Sequence, residues 1–458
     1  MGKAPSLCDA VPSGRGEKLA QGAVNIDFSR AALLGALEEN RTLTIRFADG
    51  GLGDRYLYQL RQDNDCRWLF VCNASEPGNK HIDGGRDIQI IIEGEYSAYL
   101  YNTQNGDISP AAVSYENGKT VIRTKIFGYD SLLYKLVEGI SDIKENNKNN
   151  FGEYKAITNN FVGYELSEKN ILVLDCAEYK LDTEADFNEK EEILRLDNIC
   201  REKLGLRERD GGIVQPYVTG KIPAENKLTL KFEFESDIDY KGAELALEDA
   251  ETAEITFNGV SVDNTVLGDY VDISISRVAL PDIIKGTNTL VVTIPFGVSS
   301  NTEDMFILGD FGVKVAGRNA KITAKPEKIA FGNLTEQGFP FYGGNITYKF
   351  DADVADGKLG IRASDYYGAL VGVSVDGKRV GSIIYPPYEY TVDGIENGKH
   401  EIALTLFIHR YNTFGPIHLV NEHESWHGPS AWRSEGANWS YEYVLRRTGI
   451  LASPRISV

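Results

Sequence analysis

The sequence predicts an all-β protein built from several antiparallel β-sandwiches, with one or two inserted helices. Two observations predict this class. From Leu43 onward, most of the chain consists of short runs of alternating apolar and polar residues, separated by turn clusters rich in Gly, Asn and Asp. Only two stretches have the apolar spacing of a helix, and they lie far apart in the chain.

The length and composition indicate a folded chain of several domains. At 458 residues the chain is too long for one hydrophobic core, and a typical domain of about 150 residues implies roughly three units. Apolar residues make up 42% of the chain, which is too many for a disordered protein. The formal net charge of -19 would repel nucleic acid and anionic lipid, so neither is an expected partner.

Targeting and cofactor signals are not found in the sequence. No stretch approaches the ~20 consecutive apolar residues of a membrane helix, and the first residues lack the apolar core of a signal peptide. We therefore expect a cytoplasmic location. The five cysteines are widely spaced and form no CxxC pair, so they predict neither disulfides nor zinc. Phosphate-binding loops and nucleophile elbows were sought and not found, so no cofactor is expected.

The first part of the chain is expected to hold one helix and one sandwich. Residues 1–40 include the sequence FSRAALLGALEEN, in which Ser29 is the expected N-cap of a helix. Residues 41–140 contain seven short strands, which is the spacing of a β-sandwich. Residues 141–160 begin with a polar run rich in Asn and Lys, so they are predicted to be a linker.

The second part of the chain contains the same β pattern twice. Residues 161–335 form the first copy, interrupted by a helix predicted over 188–205, and residues 336–458 form the second. The Asn-Gly pair at 258–259 and the Asp-Gly pair at 376–377 lie 118 positions apart (376 - 258). Both pairs predict a tight type I′ hairpin, whose central residues need positive φ. Duplication of one sandwich explains the repeat.

Several segments resemble the C-terminal region of α-L-rhamnosidase-like glycosidases and of glycoside hydrolase family 2. The NG or DG hairpin followed by LPDIIKGTNTLVVTI resembles their galactose-binding-like jelly rolls. The ordered series WLFVCNAS, EGEYSAYLYNTQNGDISPA, ILVLDCAEYKLD, FILGDFGVKV, QGFPFYGGNITYKF and ILASPRI is similar to successive landmarks of those enzymes. The resemblance implies two galactose-binding-like jelly rolls, at 161–335 and 336–458, and an oligo- or polysaccharide partner. It also implies that residues 1–40 end a (β/α)8 catalytic domain lying before residue 1.

No complete catalytic apparatus is expected within this chain. A glycosidase needs two carboxyl groups placed around the scissile bond, usually at the strand ends of a barrel of at least ~200 residues. Two isolated helices cannot supply such a barrel. We therefore expect a non-catalytic, carbohydrate-binding and structural portion of a glycoside hydrolase, with no catalytic residues. The alternative is a free-standing carbohydrate-binding or adhesion protein.

Histidines and tryptophans crowd near the C-terminus. Four of the six histidines fall within 409–427, and three of the four tryptophans fall within 426–439. Aromatic faces stack on sugar C–H groups, and polar side chains bind hydroxyls, so this mixture favours a saccharide cleft. The candidate residues are His409, Arg410, Tyr411, Asn412, His418, His423, Trp426 and Trp432. The alternative is an irregular cap in which these side chains fill space and bond to the backbone.

Two further segments carry site hypotheses. In GFPFYGGNITY, residues 338–348, Tyr342 and Asn345 offer stacking and hydrogen bonding, although the glycines also suit a tight connecting turn. The sequence HESWHGP, residues 423–429, matches the HExxH zinc pattern. Because Gly and Pro disfavour the helix that would align both histidines, no metal site is expected, and a zinc hydrolase remains as the third hypothesis.

Overall fold

The fold was obtained as a computed structural model that describes residues 4–76, 78–79, 84–141, 152–157, 161–209, 222–420 and 436–458. The chain divides into two units, Met1–Asn150 with Tyr385–Pro387, and Phe151–Ile384 with Tyr388–Val458. The described residues are mostly in antiparallel strands with few helices. The predicted all-β class is therefore confirmed. Among these residues, no helix is long and apolar enough to cross a membrane.

The first unit begins with two short helices and continues as a two-sheet sandwich. Its helices are α1 (Arg15–Ala20) and α2 (Arg30–Leu37). Its strands are β1 (Leu7–Cys8), β2 (Val11–Pro12), β3 (Leu43–Phe47), β4 (Leu57–Gln62), β5 (Arg67–Cys72), β6 (Arg86–Glu93), β7 (Tyr96–Tyr101), β8 (Ile108–Ala111), β9 (Val113–Glu116), β10 (Lys119–Ile126) and β11 (Ser131–Glu138). The two sheets have the orders β3-β6-β10-β9 and β4-β5-β11-β7-β8.

Period-two alternation builds the core of this sandwich. Along β6, Ile88, Ile90 and Ile92 are buried because successive strand side chains point to opposite faces. The N-cap prediction at Ser29 is confirmed, since its side chain accepts a hydrogen bond from the N–H of Ala32. No residue of α1 or α2 is buried.

The second unit contains two sandwiches. Its helices are α3 (Ile193–Lys203) and α4 (Tyr411–Phe414). Its strands are β12 (Lys155–Ala156), β13 (Phe161–Leu166), β14 (Asn170–Leu174), β15 (Cys176–Leu181), β16 (Asn188–Glu192), β17 (Asn226–Ser236), β18 (Glu244–Glu248), β19 (Glu254–Phe257), β20 (Val260–Ser261), β21 (Val266–Tyr270), β22 (Asp272–Ala279), β23 (Gly286–Phe296), β24 (Met305–Gly309), β25 (Gly312–Ala316), β26 (Asn319–Thr323), β27 (Ile329–Ala330), β28 (Ile346–Val354), β29 (Lys358–Arg362), β30 (Tyr366–Tyr367), β31 (Leu370–Val375), β32 (Lys378–Ile383), β33 (Glu389–Asp393), β34 (Gly398–Phe407), β35 (Gly449–Ile450) and β36 (Arg455–Ser457).

Each sandwich of the second unit has its own two sheets and core. The first sandwich has the five-stranded sheet β14-β24-β18-β22-β21 and a sheet with the path β16-β15-β17-β23-β19-β20, to which β25 and β26 are added. The second has the sheets β27-β13-β28-β34-β31-β32 and β12-β36-β29-β33. The order β17-β23-β19-β20 in the first therefore corresponds to β28-β34-β31-β32 in the second.

Matched side-chain contacts support the repeat. The hydroxyls of Thr229 and Thr293 are 2.9 Å apart across β17 and β23, and those of Thr347 and Thr405 are 2.9 Å apart across β28 and β34. Both hairpins have the predicted positive φ, with 50° and 78° at 258–259 and 49° and 76° at 376–377. The hairpin prediction is confirmed.

Three predicted boundaries differ from the structure. The predicted helix 188–205 begins as strand β16, which pairs with β15, and α3 starts at Ile193. Strand β13, predicted in the first copy, pairs with β28 of the second. Within the predicted linker 141–160, β12 pairs with β36, whereas residues 142–151 and 158–160 lie outside the described residues.

No (β/α)8 ring is present in the described part of the chain. There, the named strands pair in parallel only at β17 and β26, and the longest helix, α3, has 11 residues. A barrel of parallel strands with alternating helices needs far more of both.

Candidate functional site

Two adjoining cavities open on the first sandwich of the second unit. Their volumes are about 620 and 600 Å³, and both are lined by Cys176, Lys190, Arg318 and Asn319. We call the pair the Cys176 cleft. Each volume lies within the ~300–1,000 Å³ that ligand pockets commonly have.

Three cations around the cleft are exposed and have no carboxylate partner in the described part of the chain. Lys190, Lys314 and Arg318 line the cleft, and none forms an ion pair with a described residue. Carboxylates also line the cleft: Glu233 pairs with Lys231 at 3.1 Å, and Glu189 and Glu235 are exposed. The lining therefore carries groups of both signs, and Lys190, Lys314 and Arg318 are the cations available to an anionic ligand.

A tyrosine forms one side of the cleft. Tyr441 is 37% exposed, and its hydroxyl donates to the carboxylate of Glu191 at 3.0 and 3.1 Å. The guanidinium of Arg318 lies 5.3 Å from the centroid of the Tyr441 ring. An accessible ring next to an amide and cationic groups is a common composition of saccharide sites, because rings stack on C–H faces while polar groups bind hydroxyls.

A buried polar cluster lies beside the cleft. The Asp175 carboxylate accepts a hydrogen bond from Tyr443 through Oδ1 at 2.8 Å and contacts His418 Nε2 through Oδ2 at 2.7 Å. His418 Nδ1 lies 2.9 Å from the carbonyl oxygen of Ser440. Asp175 and His418 are each about 3% exposed. The cleft residue Cys176 follows Asp175 directly, so the cluster and the cleft share one stretch of chain.

Burial and mutual repulsion control protonation in this cluster. Burial raises the pKa of the Glu192 carboxyl to about 7, despite hydrogen bonds from backbone N–H groups of α3. Burial, and then the charges of Asp175 and Glu192, raise the pKa of the Asp304 carboxyl well above its usual range. Burial is the largest single influence and opposes protonation of His418, but the hydrogen bonds to Asp175 and Ser440 and the charges of Asp175 and Glu192 together outweigh it, so the pKa of the imidazole is raised. Several carboxyls packed around one imidazole cannot all ionise without cost.

Local folding explains where these groups lie. Asp175 occupies the single position between β14 and β15, where the apolar run of β14 ends. His418 lies after α4 in irregular chain, so the two residues are brought together across 243 positions. Asp304 directly precedes β24, the neighbour of β14 in the sheet.

Two predicted residues, Arg410 and Tyr342, do not line the cleft. Both contact the segment Ser167–Glu168 instead. Arg410 binds both carboxylate oxygens of Glu168 at 2.7 Å. The Tyr342 hydroxyl donates to the carbonyl of Asn345 at 2.9 Å and accepts the N–H of Ser167 at 3.0 Å. The polar groups of Arg410 and Tyr342 are thus used within the protein, and Asn345 takes part through its backbone.

Three further predicted residues, His409, Tyr411 and Asn412, lie in α4 or just before it. The Asn412 side chain binds the backbone of Arg446 at both ends, with distances of 2.8 and 2.9 Å. The Tyr411 ring lies 3.5 Å from the Arg446 guanidinium, and His409 contacts the rings of Tyr367 and Tyr411. Burial lowers the pKa of the His409 imidazole.

Of the remaining predicted residues, one lies beside the cleft and three lie outside the described residues. His418 belongs to the buried cluster described above. His423, Trp426 and Trp432 lie outside the described residues, as does the whole HExxH segment.

Sequence reasoning did not select Asp175, Cys176, Lys190, Arg318 or Tyr441. The only available signal was an acidic residue directly after the apolar run NILVL, which is a common place for a functional carboxylate.

Comparisons with known proteins were made for the whole chain. No family model matches it, and no curated protein matches it. Among solved structures, it is similar to a rhamnosidase from Novosphingobium sp. PP1Y, with 12% identity, a TM-score of 0.42, and coverage of 93% of this chain and 26% of that one. It is also similar to an α-L-rhamnosidase from Streptomyces avermitilis, with 12% identity, a TM-score of 0.24, and coverage of 90% and 38%.

A GH2 β-galacturonidase from Eisenbergiella tayi is a further similar structure, with 12% identity, a TM-score of 0.20, and coverage of 54% of this chain and 38% of that one. The chain therefore spans between about a quarter and two fifths of the length of these enzymes. With TM-scores below 0.5, these likenesses carry no argument about function, which has to come from the site itself.

Proposed function

We propose that this chain is a non-catalytic, carbohydrate-binding and structural portion of a glycoside hydrolase. The repeated two-sheet sandwich is a rigid scaffold whose loops carry polar and aromatic side chains, which suits recognition of a saccharide. The sequence resemblance to rhamnosidase-like and family 2 glycosidases supports the same class, including the galactose-binding-like identity of the two sandwiches.

The Cys176 cleft is the proposed saccharide site. The observation that carries this proposal is the exposed Tyr441 ring beside three cations, Lys190, Lys314 and Arg318, that have no carboxylate partner among the described residues. A neutral sugar would need the ring and hydroxyl-binding groups alone. Because unpaired cations form charge-assisted hydrogen bonds with carboxylates, we infer that the preferred sugar carries a carboxylate.

The exposed apolar residues of 1–40 support a structural role next to another domain. Leu19, Val24 and Phe28 are 73%, 76% and 96% exposed. Large apolar side chains with this exposure are common where a surface is covered by a partner. We infer that this segment packs against the (β/α)8 catalytic domain of the full-length enzyme.

Calorimetric titration of the purified chain tests the saccharide proposal. The probes are a galacturonate oligosaccharide and a galactose oligosaccharide of the same length and linkage. We expect tighter binding of the acidic probe, and Lys190→Ala or Arg318→Ala should each weaken it about tenfold, since one charge-assisted hydrogen bond contributes about 1.5–3 kcal/mol.

Lys241→Ala is the matched control, because this lysine is 85% exposed and pairs with Asp282 away from the cleft. The Lys241→Ala variant should bind the acidic probe with the same affinity as the unchanged chain. Equal affinity for both probes would contradict the acidic-sugar inference. No binding of either probe would contradict the saccharide site.

A further inference from the structure

Three different metal-ligand types meet at the edge of the Cys176 cleft. One carboxylate oxygen of Asp175, the thiol sulfur of Cys176 and one imidazole nitrogen of His418 all lie within 4.8 Å of one another. A mixed set of sulfur, nitrogen and oxygen donors is typical of zinc, whereas calcium and magnesium are bound by oxygen alone.

Neighbouring groups already orient two of these side chains, His418 and Asp175, as metal ligands commonly are. His418 Nδ1 contacts the carbonyl of Ser440 at 2.9 Å, and this contact directs Nε2 toward Asp175. Asp175 is fixed by Tyr443, which donates to its Oδ1 at 2.8 Å and leaves Oδ2 facing His418. Metal-binding histidines commonly donate their second nitrogen to a carbonyl, and metal-binding carboxylates are themselves hydrogen-bonded.

We propose that Asp175, Cys176 and His418 form a binding site for a zinc-class divalent cation. Binding replaces protons on the thiol and on the imidazole Nε2, and these are released to solvent. The fourth position faces the cleft, where water or a ligand oxygen can complete a tetrahedral arrangement.

The change in geometry needed for binding is small. With Zn–N and Zn–O bonds of about 2.0 Å at a tetrahedral angle, the nitrogen and oxygen ligands would be about 3.3 Å apart. His418 Nε2 and Asp175 Oδ2 are 2.7 Å apart here. An opening of about 0.6 Å, within reach of a side-chain rotation, would admit the cation.

A second, independent observation is a buried carboxylate beside the ligands. Asp304 Oδ1 is excluded from solvent and has no hydrogen-bond partner among the described residues. Leu174 lies opposite Met305 in the antiparallel pairing of β14 with β24, which places Asp304 next to Asp175. Buried polar atoms without a partner are rare in folded proteins and call for a specific explanation. A divalent cation at this site would account for a polar atom that is otherwise buried without a hydrogen-bond partner among the described residues.

The zinc proposal depends neither on the HExxH sequence nor on sugar binding, although Asp175 and Cys176 line the same cleft. The ligands come from the β14–β15 junction and from irregular chain 243 positions away. No local sequence motif therefore identifies them. A zinc-binding result would stand whether or not the cleft binds a saccharide, because the two are measured separately.

Metal analysis of the purified full chain is the test. After chelator treatment and dialysis against a slight excess of Zn²⁺, we expect one zinc per chain by plasma mass spectrometry. Co²⁺ in place of zinc should give the near-ultraviolet absorption of a thiolate-to-cobalt transition, because Cys176 is a ligand. Cys176→Ser and His418→Ala should each weaken zinc binding by at least about 100-fold.

The matched control is a His423→Ala/His427→Ala double variant, which removes both histidines of HExxH. It should keep full zinc binding and the cobalt absorption. Zinc content well below one per chain, or cobalt binding without the thiolate absorption, would overturn the proposal. Loss of zinc from the His423/His427 variant with retention in Cys176→Ser would overturn it too. The cobalt spectrum of the unchanged chain keeps the test decisive even if a variant fails to fold.

Discussion

Arg201 forms a buried ion pair within α3 and joins this helix to the chain that follows β23 in the first sandwich. Arg201 Nε lies 2.7 Å from Asp197 Oδ2, and the two side chains are 3% and 0% exposed. The remaining guanidinium nitrogens bind the carbonyls of Ser300 at 2.8 Å and Val298 at 3.3 Å. We predict that Arg201→Met destabilises this unit severely, because it leaves the Asp197 carboxylate buried without its partner.

The expected loss in the free energy of unfolding follows from the contacts that the Asp197 carboxylate loses. Asp197 Oδ1 has no hydrogen-bond partner among the described residues, so Arg201 is the side chain that compensates the charge. Removing one member of a buried pair commonly costs about 3–5 kcal/mol. The double change Asp197→Leu/Arg201→Met should cost less than Arg201→Met alone, since no buried charge is left. Val298 is exposed, so its carbonyl can bind water instead.

Urea unfolding followed by pulsed hydrogen exchange and mass spectrometry measures both variants. Peptides from β17 and β23 report this unit separately from residues 1–150. A loss below about 1 kcal/mol for Arg201→Met would refute the reasoning, because that is the range of exposed pairs. A double variant less stable than Arg201→Met would refute it as well, since the buried charge would then not be the cause.

Three further predictions concern the second unit. Gly377 has φ +76°, so Gly377→Ala should cost about 1–2 kcal/mol in urea unfolding through backbone strain, and an unchanged midpoint would contradict this. The hydrogen bond to Asp376 raises the pKa of His400, so its stabilisation is complete below about pH 6.5 and lost as pH rises through the folded pKa. The difference in melting temperature between the unchanged chain and Asp376→Asn should therefore become smaller as the pH rises from about 5 to about 9. A difference that stays constant over this range would contradict the prediction. Arg410→Lys replaces a two-bond contact with Glu168 by a single one and should cost about 1–3 kcal/mol in urea unfolding, whereas a negligible cost would argue against a structural role.

Features with a local physical cause could be predicted from the sequence. The isoleucines at alternate positions of β6 predict a half-buried strand, because the period of two is built into the strand geometry. The Asn-Gly and Asp-Gly pairs predict tight hairpins, because few other residues accept positive φ at both positions. Ser29 predicts a helix start, because its oxygen can satisfy a backbone N–H.

Features set by distant pairing could not be predicted in the same way. The sequence NEKEE has good helix propensity, yet it forms β16 because β15 offers an open edge for pairing. The continuous run ILVLDCAEYKL gives no sign that the chain changes sheets at Asp175. The approach of His418 to Asp175 depends on tertiary folding across 243 positions, which no sequence spacing encodes.

The Cys176 cleft lies where the first sandwich differs from the second. The four-strand order β17-β23-β19-β20 recurs in the second sandwich, but the hairpin β25–β26 is added only to the sheet of the first. Strand β16 has five residues where the second sheet has the two-residue β27 at the same position.

Lys190 comes from β16, Arg318 from the β25–β26 turn and Asn319 from β26. Two of the four residues shared by the two cavities therefore belong to the added hairpin, the third to the longer edge strand β16, and the fourth, Cys176, begins the strand that β16 pairs with. The added hairpin and the longer β16 therefore form the surface at which we propose that a ligand binds.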